Sequence, residues 1–118
     1  MKLDFSLPCI TPQMTDAVVH SLLVAEGQQL AVGHALMELT VDLSAVFVHD
    51  CPPISYYRVA SRETVWLRNL SITQGDKAVV GQLLARFTTT PDEPANGDSA
   101  RQLRVTIAGV MRQESQLW

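Results

Sequence analysis

The residues with the most evident chemical potential form a His-Asp-Cys run near the middle of the chain. His49, Asp50 and Cys51 place an imidazole, a carboxylate and a thiol next to one another. A thiol beside a base is the pattern of a cysteine nucleophile, and alternate residues of a strand share a face. The sequence shows neither an oxyanion pocket nor a third catalytic partner for them. We therefore interpret Cys51 as a small apolar residue and expect no enzyme activity.

Metal binding is a second kind of chemistry that the side chains could support. His20, His34 and His49 lie in separate segments of the chain, without the close ligand spacing of zinc sites. The two cysteines, Cys9 and Cys51, have the spacing of neither a zinc site nor a disulfide framework. We expect no bound metal and a reduced, cytoplasmic setting.

Composition narrows the classes of partner. The 118 residues include nine Lys and Arg against twelve Asp and Glu, a formal charge of -3, which argues against non-specific nucleic-acid binding and against a polybasic membrane patch. No apolar run approaches the roughly 20 residues of a membrane span, and the first residues lack the apolar region of a secretion signal. We expect one domain that binds neither nucleic acid nor membranes.

The histidine and cysteine side chains must be positioned by the secondary structure, and the chain consists largely of short apolar segments separated by glycine, proline and acidic residues. The segments at 18–24, 36–41, 65–67 and 83–87 are rich in β-branched and other apolar residues. Many short strands with regular turn signals are typical of a sandwich or barrel. No stretch before residue 100 has a clean helical period. The sequence therefore predicts an all-β fold.

An internal repeat becomes visible when the chain is shifted by 48 positions. Gly27 then falls on Gly75, and Gly33 falls on Gly81. Because one such unit cannot bury its own apolar face, we expect two copies to enclose one core around a pseudo-twofold axis. The predicted core residues are Leu22, Val24, Leu36, Leu39, Leu70, Ile72, Leu84 and Phe87.

The end of the chain differs in character from the repeat. Residues 89–102 are polar and contain prolines, as linkers do, and residues 103–118 form a C-terminal extension. Leu103, Val105 and Ile107 would share one face of a strand, but the apolar spacing also fits one face of a helix. The sequence leaves both alternatives open, and a strand here could pair with this domain or with a second copy of the chain.

The repeat and its flanking motifs resemble the biotinyl/lipoyl attachment domain family, in particular the lipoyl domain of 2-oxo acid dehydrogenase acyltransferases. The resemblance covers residues 3–88 and implies a flattened barrel or sandwich of two four-stranded antiparallel sheets, with the domain spanning 1–88. The motifs that carry it are Leu7-Pro8, Glu26-Gly27-Gln28, Val32-Gly33, Gln74-Gly75-Asp76 and Val80-Gly81-Gln82.

The chain departs from this family at the hairpin tip. The family has Glu-Thr-Asp-Lys-Ala there, and its lysine receives lipoate or biotin, whereas this chain has 40–44 as Thr-Val-Asp-Leu-Ser. Leu43 thus occupies the acceptor position, flanked by Asp42 and Ser44, and has no nucleophile. The only two lysines are Lys2 and Lys77. We expect the carrier fold without lipoate or biotin.

An insertion at residues 46–60 is the second departure from the family. It brings Tyr56 and Tyr57, a residue type enriched at binding hot spots. Since neighbouring strand residues point to opposite faces, the tyrosines could instead turn into the core. We predict that the insertion lies beside Leu43 and exposes at least one tyrosine to a protein partner.

These features together favour a non-catalytic interaction module. The resemblance implies an accessory subunit recognised by an enzyme of an acyltransferase, 2-oxo acid dehydrogenase-like or biosynthetic multienzyme complex. Two alternatives stay open: a carrier loaded at a non-lysine residue near the tip, such as Ser44 or Cys51, and a structural segment like those of transport adaptors. The C-terminal segment could also support a homo-oligomer.

Overall fold

A computed structural model describes residues 1–12, 14–42, 54–94 and 96–110, and in these ranges every regular element is a strand. The all-β prediction is confirmed for them, and they contain no helix that could cross a membrane. The strands are β1 (Lys2–Ser6), β2 (Asp16–Leu22), β3 (Gln29–Leu30), β4 (Ala35–Asp42), β5 (Ile54–Ser61), β6 (Val65–Leu70), β7 (Lys77–Val79), β8 (Leu83–Thr88), β9 (Arg101–Gln102) and β10 (Val105–Val110).

The strands form two sheets. The first sheet has the order β3-β6-β8-β1-β9, and the second has the order β10-β5-β4-β2-β7. Every pair is antiparallel except β1–β9, which is parallel. The prediction of a barrel is not met, because each sheet ends in its own edge strands. Each sheet also has five strands instead of four, since the C-terminal residues add β9 to one and β10 to the other.

One core lies between the two sheets and explains the alternation of apolar residues along the strands. The inward residues of β1 and β2, such as Leu3 and Val19, are completely buried, as expected for strands with one face on a core. Of the eight predicted core residues, five are buried: Leu36, Leu39, Ile72, Leu84 and Phe87. The other three are partly buried and pack against that core: Leu22, Val24 and Leu70.

The turns on either side of the short strands β3 and β7 have matching conformations. Gly27 and Gly33 flank β3, Gly75 and Gly81 flank β7, and all four have φ between 89° and 94°. A Cβ added at any of them would meet no atom within 4 Å. The left-handed backbone angle, which residues with a Cβ rarely adopt, therefore accounts for glycine at these positions.

Hydrogen bonds around these turns recur at an interval of 48 residues. The Gly27 N–H donates to the Leu67 carbonyl, and the Gly75 N–H donates to the Val19 carbonyl, both at 2.7 Å. The β2–β4 and β6–β8 ladders each carry a register shift at equivalent places. The turn before β3 is thus bonded to β6, and the turn before β7 is bonded to β2. If β1–β4 are called the first half and β5–β8 the second half, each half bonds its own turn to a strand of the other.

Two side chains accept a matching pair of hydrogen bonds from backbone N–H groups of the other half. The Leu70 N–H donates to Glu26 Oε2 at 2.8 Å, and the Leu22 N–H donates to Gln74 Oε1 at 3.2 Å. Both donors lie at the last residue of a strand, where the ladder ends. The polar residue before each turn glycine therefore satisfies a backbone donor of the other half.

The C-terminal residues cross from the edge of the first sheet to the edge of the second. The Leu103 N–H donates to the Asp4 carbonyl at 2.8 Å beside β1, and the Arg62 N–H donates to the Arg104 carbonyl at 2.9 Å beside β5. The Leu103 side chain is buried in the core between these two bonds. Residues 105–110 form a strand, one of the two alternatives that the sequence left open, and β9 lies within the segment predicted as a linker.

Candidate functional site

The hairpin of β4 and β5 is the element that would present the acceptor position. Asp42 is exposed at the end of β4 and pairs with Ile54 at the start of β5. Leu43 and Ser44 lie outside the described residues, as does the whole of 45–53 with its His-Asp-Cys run. The described part of the hairpin is therefore its two arms.

The two tyrosines predicted as a binding pair are neighbours on β5 and point to opposite faces of the sheet. Tyr57 lies opposite Leu39, and Tyr56 lies opposite Thr40. Leu39 is buried, and Tyr57 packs against the core as a partly buried side chain. Tyr56 is also half-buried, but it points to the outer face of the second sheet. Residues 54–60 of the predicted insertion belong to β5.

Tyr56 belongs to a surface that we call the outer patch, formed by Val18, His20, Thr40 and Tyr56 on three adjacent strands. The rings of His20 and Tyr56 meet edge to face, with centroids 5.6 Å apart and an angle of 76° between the planes. Val18 pairs with Thr40 in the ladder and is 38% exposed. The patch therefore combines an aromatic pair with aliphatic and hydroxyl groups.

Two ion pairs lie on the same face of the sheet as the outer patch. Arg58 on β5 and Glu38 on β4 approach to 2.7 Å, and Lys77 on β7 and Asp16 on β2 approach to 3.6 Å. Both cations are more than half exposed, so each pair contributes little to the free energy of unfolding. Their effect is to neutralise the charges around the patch, which favours an apolar contact.

The equivalent face of the first sheet has different surroundings. Thr88, 48 positions after Thr40, has no exposed surface. Its hydroxyl donates to the Thr90 carbonyl at 2.6 Å and accepts from Arg68 at 3.3 Å. Arg68 also donates to the Glu93 carbonyl. Residues 89–94 therefore fold over this face, whereas Thr40 is partly exposed and Val18 is exposed.

A carboxylate between the two sheets fixes the C-terminal segment. Glu63, in the turn from β5 to β6, accepts from both terminal nitrogens of Arg101 at 2.6 and 2.7 Å and from the Arg104 N–H at 2.9 Å. The Arg101 bonds lower the pKa of Glu63 from its usual 4.5 to about 2. Three donors on one carboxylate stabilise its ionised form and attach the C-terminal segment to the turn.

The remaining titratable residues singled out in the sequence are dispersed. The His34 ring lies 3.2 Å from the Gln28 side chain in the turns around β3, while His20 lies on the outer patch. Cys9 is an exposed free thiol that approaches the Thr11 carbonyl. In the part of the chain that the structure describes, no three His, Cys, Asp or Glu side chains are grouped to hold a metal.

The outer patch was not predicted from the sequence. Neither was the contact of Glu63 with Arg101 and with the Arg104 N–H, which we call the Glu63 cluster. Residues 17–20 are Ala-Val-Val-His and do not alternate between apolar and polar types, so no sequence pattern marked Val18 and His20 as outward residues. No local signal pointed to the contact between Glu63 and Arg101, which are 38 residues apart. It depends on how the C-terminal segment crosses the molecule.

Comparisons of this chain with protein-family models, with curated proteins and with solved structures found no match. The resemblance to biotinyl/lipoyl attachment domains therefore remains a prediction from the sequence motifs.

Proposed function

We propose that this chain is a lipoyl-like domain that is not lipoylated and that acts as a protein–protein interaction module. It would be an accessory subunit of an acyltransferase, 2-oxo acid dehydrogenase-like or biosynthetic multienzyme complex. The observation that carries the proposal is that β4 and β5 pair as neighbouring antiparallel strands, as the arms of a carrier hairpin would. By the resemblance, Leu43 stands where the family has its acceptor lysine.

The strand order supports the lipoyl-like part of the proposal. Exchanging β1 with β5, β2 with β6, β3 with β7 and β4 with β8 turns the order β3-β6-β8-β1 into β7-β2-β4-β5, which is the order in the second sheet. The matching turns and hydrogen bonds obey the same exchange. Two four-stranded units related by a pseudo-twofold axis are what the resemblance implies, and β9 and β10 are additions at their edges.

The position of the lysines supports the absence of a lipoyl or biotinyl group. Attachment is an amide bond to a lysine ε-amine. Lys2 lies on β1 in the first sheet, and Lys77 lies on β7, which is separated from β5 by β2 and β4. The ammonium of Lys77 is also paired with Asp16. Neither amine belongs to the β4–β5 hairpin.

The outer patch is the surface that we propose for the partner. It spans both arms of the same hairpin and the neighbouring strand β2, and it contains the ring contact between His20 and Tyr56. Tyrosine is over-represented among residues that dominate binding energies. Because the neighbouring charges are paired within the sheet, binding should be mainly apolar and only weakly dependent on salt.

Co-purification from the native host tests this proposal with matched variants. Tyr56→Ala removes the ring from the outer patch, while Tyr57 is left unchanged because it packs against the core. Lys2→Ala is the control, since Lys2 faces Thr88 as Tyr56 faces Thr40. We expect Tyr56→Ala to reduce recovery of a specific partner about tenfold or more, corresponding to roughly 1.4 kcal/mol, and Lys2→Ala to leave it unchanged.

Melting temperatures of the three proteins must agree for the comparison to count. Equal recovery of every co-purified protein by the wild type and Tyr56→Ala would remove the outer patch as the binding surface. Recovery of no specific partner by the wild type, from cells in which the protein is expressed at its natural level, would contradict the interaction module itself.

A further inference from the structure

The four edge strands of the two sheets differ in how well they are protected. Unpaired N–H and C=O groups on a sheet edge can pair with another chain, and proteins usually limit this with short or charged edges. β3 and β9 have two residues each, and β7 has three, including Lys77. β10 has six residues, Val-Thr-Ile-Ala-Gly-Val, with neither charge nor proline.

The register of β10 on β5 identifies the backbone groups that point away from the sheet. The Arg62 N–H donates to the Arg104 carbonyl, so this pair is hydrogen-bonded. Hydrogen-bonded and non-bonded pairs alternate in an antiparallel ladder. In β10, the residues bonded to β5 are therefore Thr106, Ala108 and Val110. Those with outward N–H and C=O groups are Val105, Ile107 and Gly109.

Within the described ranges, no strand pairs with that outward side of β10. The side chains of Val105 and Ile107 are only partly buried at this end of the core. Thr106 and Ala108 are exposed on the outer face of the sheet. The edge therefore presents unpaired backbone groups together with incompletely covered aliphatic side chains.

We propose that β10 is a dimerisation edge at which two copies of this chain pair antiparallel, centred on Ile107. The three outward residues are symmetric about Ile107. An antiparallel pairing centred there sets Ile107 against Ile107 of the second copy and Val105 against its Gly109. Each outward N–H then meets an outward carbonyl. The two second sheets become one continuous ten-stranded sheet.

The chemistry of the edge favours a second copy as the occupant. Pairing about a twofold axis is self-complementary and closes after two chains. No residue from 105 to 110 is charged, so no like charges meet in this register. A six-residue edge is small beside a standard interface of about 1,600 Å², and we therefore expect a dimer whose population rises with protein concentration. This inference does not depend on the proposed function.

A pair of charge variants tests both the dimer and its register. In the proposed pairing, Thr106 lies directly opposite Ala108 of the second copy. Thr106→Lys/Ala108→Lys sets lysine against lysine at both places, whereas Thr106→Glu/Ala108→Lys sets opposite charges together. Directly opposed like charges destabilise a strand pair, and opposite charges stabilise it. Both variants carry the same lysine beside Arg58, so they differ only in the charge at 106.

Sedimentation velocity over about 1 μM to 1 mM protein gives the readout, since these limits span weak to moderate affinities. We expect the wild type and the Glu/Lys variant to form dimers and the Lys/Lys variant to associate at least tenfold more weakly. Melting curves establish that both variants fold. The wild type alone can overturn the proposal. If it is a monomer at every concentration, two copies do not pair at β10, and the edge is left to residues 111–118 or to a strand of another protein. Equal association of the two variants would overturn the register.

Discussion

The two sheets have equivalent strand orders, but their outer faces differ in which segments cover them. On the first sheet, residues 89–94 fold over Thr88, and Arg68 holds them through the Glu93 carbonyl. On the second sheet, the equivalent residue Thr40 is partly exposed, and His20, which is equivalent to Arg68, is exposed. The difference shows that the matching strand order does not by itself determine which face is accessible. On the first sheet, the segment after β8, residues 89–94, makes that face less accessible.

The largest expected effect tests whether the two halves contribute equally to the core. Leu36 and Leu84 are 48 residues apart, and both are completely buried. Replacing either with alanine removes buried methyl groups and leaves a cavity, which should lower the free energy of unfolding by roughly 2–5 kcal/mol. We expect the two losses, measured by urea denaturation, to be similar. A large loss for one and almost none for the other would show that the halves are not equivalent.

The Glu63 cluster sharpens the comparison because it exists in one half only. Thr15 stands 48 positions before Glu63 and cannot carry a charge. Glu63→Gln weakens the bonds to Arg101 and should cost about 1–2 kcal/mol at neutral pH, a value reduced for partial exposure. The measurement is the free energy of unfolding of the wild type and of Glu63→Gln, each determined from pH 7 to pH 2.

The pH dependence of that difference follows from the pKa of Glu63. Folding lowers the pKa of this carboxyl from 4.5 to about 2, so the unfolded chain binds the proton first. The stabilisation is complete above pH 4.5 and disappears as the pH falls towards 2. The wild type and Glu63→Gln should therefore converge in that window. A constant difference down to pH 2 would mean that the carboxylate charge contributes nothing.

A threonine pair tests the covered and uncovered faces directly. Thr88→Val leaves the Thr90 carbonyl and Arg68 without the hydroxyl that they contact, and should cost about 1 kcal/mol. Thr40→Val, at the equivalent and partly exposed position, should change the free energy of unfolding by less than about 0.5 kcal/mol. If both substitutions have the same effect in thermal denaturation, the cover over the first sheet contributes nothing measurable.

The smallest effect concerns the reciprocal bonds between the halves. Glu26→Ala removes the acceptor of the Leu70 N–H, and Gln74→Ala removes the acceptor of the Leu22 N–H. Both sites are exposed to water, so each substitution should cost only about 0.5–1 kcal/mol. The double variant should show the sum, because the two bonds share no atoms. A loss for one substitution and none for the other in chemical denaturation would argue against the matched roles.

Much of this arrangement could be predicted from the sequence because its signals are local. Gly27 and Gly75 recur at a fixed interval, and their left-handed backbone angles demand glycine. The apolar positions of β4 and β8, such as Leu36 and Phe87, follow the same interval and are buried. Local patterns of this kind predict strands, turns and the inward face.

The remaining features depend on contacts between residues far apart in the chain. The apolar spacing at 105–110 fits a strand or a helix, and pairing with β5 decides for a strand. The open edges of the sheets depend on where residues 101–110 cross the molecule. Neighbouring residues on a strand point to opposite faces, but which of Tyr56 and Tyr57 faces the core depends on how β5 pairs with β4, and no local pattern predicts that.

The central claim is that a carrier fold is kept while its acceptor is lost, and intact mass tests it most directly. Wild type and Leu43→Lys are each incubated with a lipoate ligase, lipoate and ATP, and their masses are compared before and after. We predict that the wild type keeps its mass and that Leu43→Lys gains one lipoyl group. A lipoyl group on the wild type, or none on a folded Leu43→Lys variant, would contradict the claim.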